Sequence, residues 1–348
     1  MREKSESGRL GSVLGAAALS CVLAVTGCSQ HTSKQIPQGE TQAELSGALN
    51  VGKAEGESTG EGLMEVRSIQ EKEGAVAYPL SELETGETGY VPAEVSFISL
   101  NPFWSYGEFS RINSGTAVLY RSTSGDRKNR TICVNPGHGT VGGSSVKTLC
   151  HPDGTPKVTG GTTGAGAVEA AAVSGGTTFL DGTPESQVTL AMGKSLKNKL
   201  LEAGYDVLLI REGEDVQLDN IARTVIANNA SDCHISLHWD STKSDKGVFY
   251  MSVPNVESYR NMEPVKSNWQ RHNQLGESLI AGLKGAGMKL FSGGSMEMDL
   301  TQTSYSTVPS IDIELGDRAS DHSQERLDKL AEGLVAGINQ YFEKQGEK

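Results

Sequence analysis

Basic charge is scarce in this 348-residue chain: 31 lysines and arginines stand against 43 aspartates and glutamates, for a net charge of -12. No stretch clusters Lys and Arg into the electrostatic footprint that nucleic acid requires, so nucleic acid is excluded as a partner. Long apolar runs are equally scarce. The only candidate, GSVLGAAALSCVLAV after Leu10, is about 16 residues of alanine-rich sequence without a basic stop behind it, short for a membrane span. Cysteine is rare too, with five in the whole chain.

What surrounds the apolar run gives it a meaning. Arg2, Lys4 and Arg9 precede it and Val25, Thr26, Gly27 and Cys28 close it, the layout of a secretory signal. The VTGC ending resembles the lipobox of bacterial lipoproteins, which implies that Cys28 is lipidated and becomes the first residue of an exported protein, anchored to the cell membrane and facing the wall. Ordinary cleavage, or an uncleaved anchor, would export the same body. Cys133, Cys150 and Cys233 then remain, an odd number. Cys133 and Cys233 each lie five residues before a histidine; a bridge between them is open, but buried free thiols, packing as small hydrophobes, are favoured.

The acidity is uneven. Residues 29–90 hold eleven glutamates against three lysines and one arginine, with no sustained apolar periodicity. Such a segment buries too little to offset its ordering entropy and is expected to be a disordered acidic linker. Residues 91–130 contain aromatics and alternating apolar positions, read as a short extension, a hairpin packed on the main body.

From Thr131 the pattern becomes α/β: apolar strands TICV, YDVLLI, HISLH, GVFYMSV and IDIEL alternate with amphipathic helices. The expected fold is a single three-layer domain over 131–348, with a mostly parallel central sheet flanked by helices. Residues 139–182 look inserted and are rich in Gly, Thr, Ser and Ala. They are a lid, a substrate-selecting flap or a disordered segment. Thr183 and Pro184 offer a cap and first position for the helix that follows.

The polar residues fall on this scaffold at informative places. His138 follows the first strand in NPGHGT, His238 ends the third, Glu314 lies near the end of the fifth, and Glu185 sits in the first turn after the Thr-Pro cap. By itself His138 reads most simply as a turn residue. Parallel strands, however, open their carboxyl ends onto one crevice, where ligands bind. Two imidazoles and a carboxylate are the ligand set of a hydrolytic zinc site, and a helix N-terminus keeps Glu185 ionised for that role. Glu314 is left to take a proton from water and return it to a leaving amine. That combination is amide hydrolysis.

Spacings of 47, 53 and 76 positions between these residues fit no short expression. NPGHG, the block from GTPESQVTL to SLHWDS, and VPSIDIELG nevertheless resemble the successive motifs of the zinc-dependent N-acetylmuramoyl-L-alanine amidases of the cell-wall type, over about 131–345. The resemblance implies Zn2+ on His138, Glu185 and His238, Glu314 as catalytic acid/base, and the bond between N-acetylmuramic acid and L-alanine of peptidoglycan as substrate. Asn135 stands where such proteins often carry aspartate, and its carbonyl is expected to orient a ligand histidine. Arg211 and Arg223 are read as structural charge partners, and His234 as packing. His151, His272 and His322 are read as solvated, and Trp239 as a substrate platform or a wall. Two rivals stay open: another exported zinc peptidase acting on the stem peptide, and a non-catalytic wall-binding lipoprotein.

Overall fold

The computed structural model describes residues 94–346. The signal segment, Cys28 and the acidic linker lie outside the described residues. The described part is built on one eight-stranded sheet and six helices. The strands are β1 (Val95–Ser99), β2 (Thr116–Tyr120), β3 (Thr131–Pro136), β6 (Asp206–Leu209), β7 (Cys233–Asp240), β8 (Val248–Ser252), β9 (Leu290–Glu297) and β10 (Ser310–Asp317). A separate two-stranded hairpin pairs β4 (Lys147–Leu149) with β5 (Glu169–Ala171) inside the 139–182 insert.

The order across the sheet is β1-β2-β6-β3-β7-β10-β8-β9. β6, β3, β7 and β10 run parallel, and so do β8 and β9, whereas β1, β2 and the β10–β8 junction are antiparallel. The expected class is therefore observed, with a wider sheet than five strands. Residues 91–130 do contribute a hairpin, but β2 hydrogen-bonds to β6 and so extends the sheet itself. β9 was not anticipated. It is an edge strand, and the left-handed Ser292, Gly293 and Gly294 interrupt the alternation that marks strands in sequence.

Strand period decides what each face carries. In β3 and β6, Ile132, Val134, Val207 and Leu209 enter the larger core, while Cys133 and Leu208 enter a second core on the opposite face. Helices α1 (Glu185–Glu202), α4 (Val265–Gly285) and α6 (Gln324–Gly346) cover the first face, and α2 (Asn220–Ala230) covers part of the second. Two short helices, α3 (Glu257–Arg260) and α5 (Thr301–Tyr305), complete the set.

The same alternation settles the cysteines. β3 and β7 pair with Ile132 opposite Cys233, so Cys133 and Cys233 are one residue out of register and face opposite cores. Both are free and buried, as is Cys150.

On β7 and β10 the period has a chemical consequence. Cys233, Ile235, Leu237 and Trp239, with Ile311, Ile313 and Leu315, all join the apolar core. The alternate positions are polar and register pairs them: His234 with Ser310, Ser236 with Asp312, and His238 with Glu314. Asn135 of β3 sits opposite Ser236. One face of the central strands is thus a polar floor, and the functional side chains stand on it.

Candidate active site

The loop after β3 is gripped from below. Arg223, buried in α2, donates to Asn135 Oδ1 (3.1 Å), Pro136 O (3.2 Å), His138 O (2.7 Å) and Thr140 Oγ1 (2.8 Å). Arg211 donates to Gly137 O (3.1 Å) and to Ser186 O (2.8 Å), tying the loop to the start of α1. The expected charge partners are chiefly carbonyls. His138 and Gly139 both adopt left-handed φ, 64° and 69°. A Cβ on Gly137 would lie 2.2 Å from Cε1 of His238, which explains the glycine before the histidine. Arg223→Ala strands several buried carbonyls, and is expected to lower stability by at least about 3 kcal/mol in urea unfolding.

Three donor atoms converge above this loop. Glu185 Oε1 is 2.9 Å from His138 Nε2 and 3.2 Å from His238 Nδ1, and the two ring nitrogens are 3.0 Å apart. Glu185 opens α1, with Pro184 rather than Thr183 at the cap, one residue later than expected. Its other oxygen accepts from Thr177 N at 2.8 Å, and Oε1 also accepts from Trp239 N at 3.0 Å. Burial works to raise its pKa, but hydrogen bonds and charge from both histidines hold the carboxylate well below its ordinary range. For His238, burial favours the neutral ring, yet Asp312, Glu185 and Glu314 around it lift the pKa to about 10.

The histidine orienters differ from expectation. Nδ1 of His138 is held by the carbonyl of Ser174, 2.8 Å away in the insert. Asn135 hydrogen-bonds to neither imidazole; its amide donates to Ser236 Oγ (3.3 Å) and its carbonyl accepts from Arg223. Nε2 of His238 instead faces Asp312 Oδ1 at 3.7 Å.

Glu314 stands beside Asp312 on the same face of β10, and both line one cleft of about 570 Å³ that also contains His138, Glu185 and His238. Burial raises the Glu314 carboxyl well above its usual range; His238 opposes this and Asp312 reinforces it. Glu314 Oε2 and Asp312 Oδ1 have no hydrogen-bond partner. The arrangement offers a three-donor cation site next to a carboxyl free to exchange a proton.

A family model described as N-acetylmuramoyl-L-alanine amidase matches residues 132–340. The chain belongs to the N-acetylmuramoyl-L-alanine amidase family. No curated protein matches the sequence. Among solved structures, the N-acetylmuramyl-L-alanine amidase Ami1 from Mycobacterium smegmatis aligns with a TM-score of 0.50 at 17% identity, over 62% of this chain and 98% of that one. Ami1 from Mycobacterium abscessus aligns at 0.48 and 21% identity, over 62% and 99%. AmiC2 of Nostoc punctiforme aligns at 0.43 and 17%, over 62% and 99%. At 17% identity the likeness to the Mycobacterium smegmatis enzyme speaks to the fold alone.

The amidase brings together all four residues singled out from sequence. Two that sequence reasoning passed over, Asp312 and Ser174, stand beside the histidines. Period-two counting back from Glu314 along IDIEL would have put Asp312 on the same face; nothing local marks a backbone carbonyl such as that of Ser174. Trp239 is buried against Phe179, with ring centroids 6.0 Å apart, so it is a wall. His151 and His272 are buried rather than solvated. His322 is partly exposed and pairs with Asp181 at 3.2 Å, while His234 packs at the far end of β7 as expected.

Proposed function

We propose that this amidase cleaves the bond between N-acetylmuramic acid and L-alanine in peptidoglycan, using zinc held by His138, Glu185 and His238, and Glu314 as general acid/base. The observation carrying this reading is the convergence of three donor atoms at 2.9 to 3.2 Å. Ligand atoms about 2.0–2.2 Å from one tetrahedral ion stand about 3.3 Å from each other, so the set fits with little movement. Glycine backs it: a Cβ on Gly176 would lie 2.8 Å from His138 Cδ2 and 3.0 Å from Glu185 Oε2, leaving no room for a side chain behind the ligands.

Zinc supplies Lewis-acid chemistry there, acidifying a water and polarising the scissile carbonyl. The chain's own groups do the rest. The Ser174 carbonyl holds the His138 ring and Asp312 faces Nε2 of His238, so that one nitrogen of each ring is turned to the site. Glu314, whose proton affinity burial raises, takes the proton released by the attacking water and delivers it to the leaving amine. We further propose that Cys28 carries a lipid and tethers the catalytic body to the membrane, with peptidoglycan its only substrate partner on this reading.

Digestion of purified peptidoglycan tests the reaction. New L-alanine amino termini are expected; cleavage between amino acids would instead make the protein a stem-peptide peptidase, and no cleavage a wall-binding protein. Metal analysis should give one zinc per chain. Stripping it is expected to cost about 3–4 kcal/mol of stability at zinc concentrations 100 to 1,000 times the Kd, read as a drop in Tm. Asp312→Asn should weaken zinc binding about 10- to 100-fold in a chelator competition. An unchanged affinity would remove Asp312 from the metal's support.

A further inference from the structure

The 139–182 insert is a built wall rather than a loose flap. Its outer loop, between β4 and β5, closes around Asp299, which lies fully buried between β9 and α5. His151 Nε2 is 3.1 Å from Asp299 Oδ2 and Lys157 Nζ is 3.0 Å from Oδ1. Val158 N donates to Oδ2 at 2.7 Å and Thr159 N to Oδ1 at 3.2 Å, while the Thr159 hydroxyl donates to Oδ1 and accepts from Asp299 N at 2.9 Å. One carboxylate therefore collects the loop's donors, and its chain neighbours Met298 and Leu300 line the same cleft as Asp312 and Glu314.

Beyond this staple the loop turns its glycine-threonine tip onto the cleft. Gly161, Thr162 and Thr163 line it, opposite Met296 and Met298 of the β9 segment and Met251 of β8. The fit at the tip is close: a Cβ on Gly161 would lie 3.0 Å from Met298 Sδ. The cleft is accordingly polar and acidic at His238, Asp312 and Glu314, and soft and apolar at the methionines. Thioether side chains adapt to aliphatic groups of varied shape.

Resting on the amidase reading above, we propose that the stapled tip and the three methionines form a subsite for an aliphatic part of the stem peptide beyond its first residue. Asp299 is the positioning residue that holds this subsite in place. It touches neither the reacting atoms nor the zinc donors. Ser174, which orients His138, lies past β5 and is held separately, since Val173 N donates to Gly143 O and Asn220 N to Ala172 O. Loosening the tip therefore separates peptide selection from metal binding.

The test uses the zinc-loaded full chain with N-acetylmuramoyl peptides of two and of five residues, together with calorimetric binding of the free pentapeptide to metal-free protein. Wild type is expected to favour the longer substrate about tenfold or more in kcat/KM, the scale on which a pocket senses an added alkyl group. Asp299→Ala should abolish that preference through KM and weaken pentapeptide binding by a similar factor. It should keep its zinc and gain protease cleavage within 151–167. Gly161→Val, which leaves the staple intact, should raise KM for the longer substrate relative to the shorter.

Wild type without a length preference overturns the subsite. So does an Asp299→Ala protein that is cleaved by protease in the tip yet keeps the wild-type preference. Should Asp299→Ala fail to fold, Gly161→Val decides, and unchanged selectivity there sinks the proposal. Wild type that cleaves neither substrate overturns the amidase reading, and the subsite with it, a result distinct from equal cleavage of both.

Discussion

Replacing Glu314 by glutamine is expected to leave zinc stoichiometry at one per chain while reducing peptidoglycan hydrolysis at least 100-fold, and up to about 10,000-fold, the range for loss of a positioned general acid/base. Glutamine keeps the shape of the side chain, so β10 retains its pairing with His238 on β7 and Phe249 on β8. What disappears is the exchangeable proton. Glu314 is suited to that task because burial lifts its carboxyl well above the ordinary range and Oε2 is uncommitted to any partner. Glu185 differs in each respect: its oxygens accept from Thr177 N and Trp239 N, and both histidines hold it ionised. Two carboxylates in one cleft thus have their proton affinities pushed apart, Glu185 down and Glu314 up, which suits them to the different roles proposed for them. His138→Ala is expected to behave otherwise and lose metal and hydrolysis together. Full zinc retention in that variant would refute the ligand assignment, and full activity in Glu314→Gln would refute the acid/base one.

The strands that position these groups were legible because apolar runs such as YDVLLI and TICV bury both faces and announce a central sheet. The meeting of His138, His238 and Glu314 followed from the rule that parallel strands share a carboxyl-end crevice, and Glu185 joined them on the further condition that its helix starts at the same rim. What was not legible depended on partners distant in sequence. HISLH and IDIEL read as apolar runs, yet each alternates, and only the β7–β10 register shows that Asp312 and Glu314 flank His238 on the polar face. His151 looked solvated because the insert around it is polar; its partner Asp299 is 148 residues away. That Ser174, and not Asn135, partners the His138 ring is of the same kind, since a carbonyl leaves no trace in side-chain pattern.

Acidification is expected to unfold the metal-free protein through two histidines that have no part in catalysis. His234 and His272 lie buried side by side with Ser310: the Ser310 amide donates to His272 Nδ1 at 2.9 Å, and its hydroxyl is 3.3 Å from His234 Nδ1. The Nε2 atom of each has no partner, so neither ring is prepared to carry charge. Burial lowers both pKa values to about 3; Arg223 and the His272 ring add to the effect at His234, and Arg271 does so at His272. Because the folded pKa lies below the unfolded value of 6.5, the unfolded chain binds protons first. The stabilisation from the neutral rings is complete above pH 6.5 and falls as pH drops toward 3. Two protons at about 1.4 kcal/mol per pH unit each give these two rings a slope approaching 3 kcal/mol per unit, steep against a domain stability of about 5–15 kcal/mol; Glu314 and Asp312, whose raised pKa values keep protons on the folded state, contribute with the opposite sign and offset part of it. His238 does not confound this window: its pKa is raised to about 10, so its own contribution is full below pH 6.5 and declines only on the alkaline side. Urea unfolding with chelator present, repeated between pH 4.5 and 6, measures the slope directly. His272→Gln and His234→Asn, whatever they cost in absolute stability, should each lower the measured slope by about 1.4 kcal/mol per pH unit. A slope unchanged in the double variant would place the acid sensitivity elsewhere in the protein.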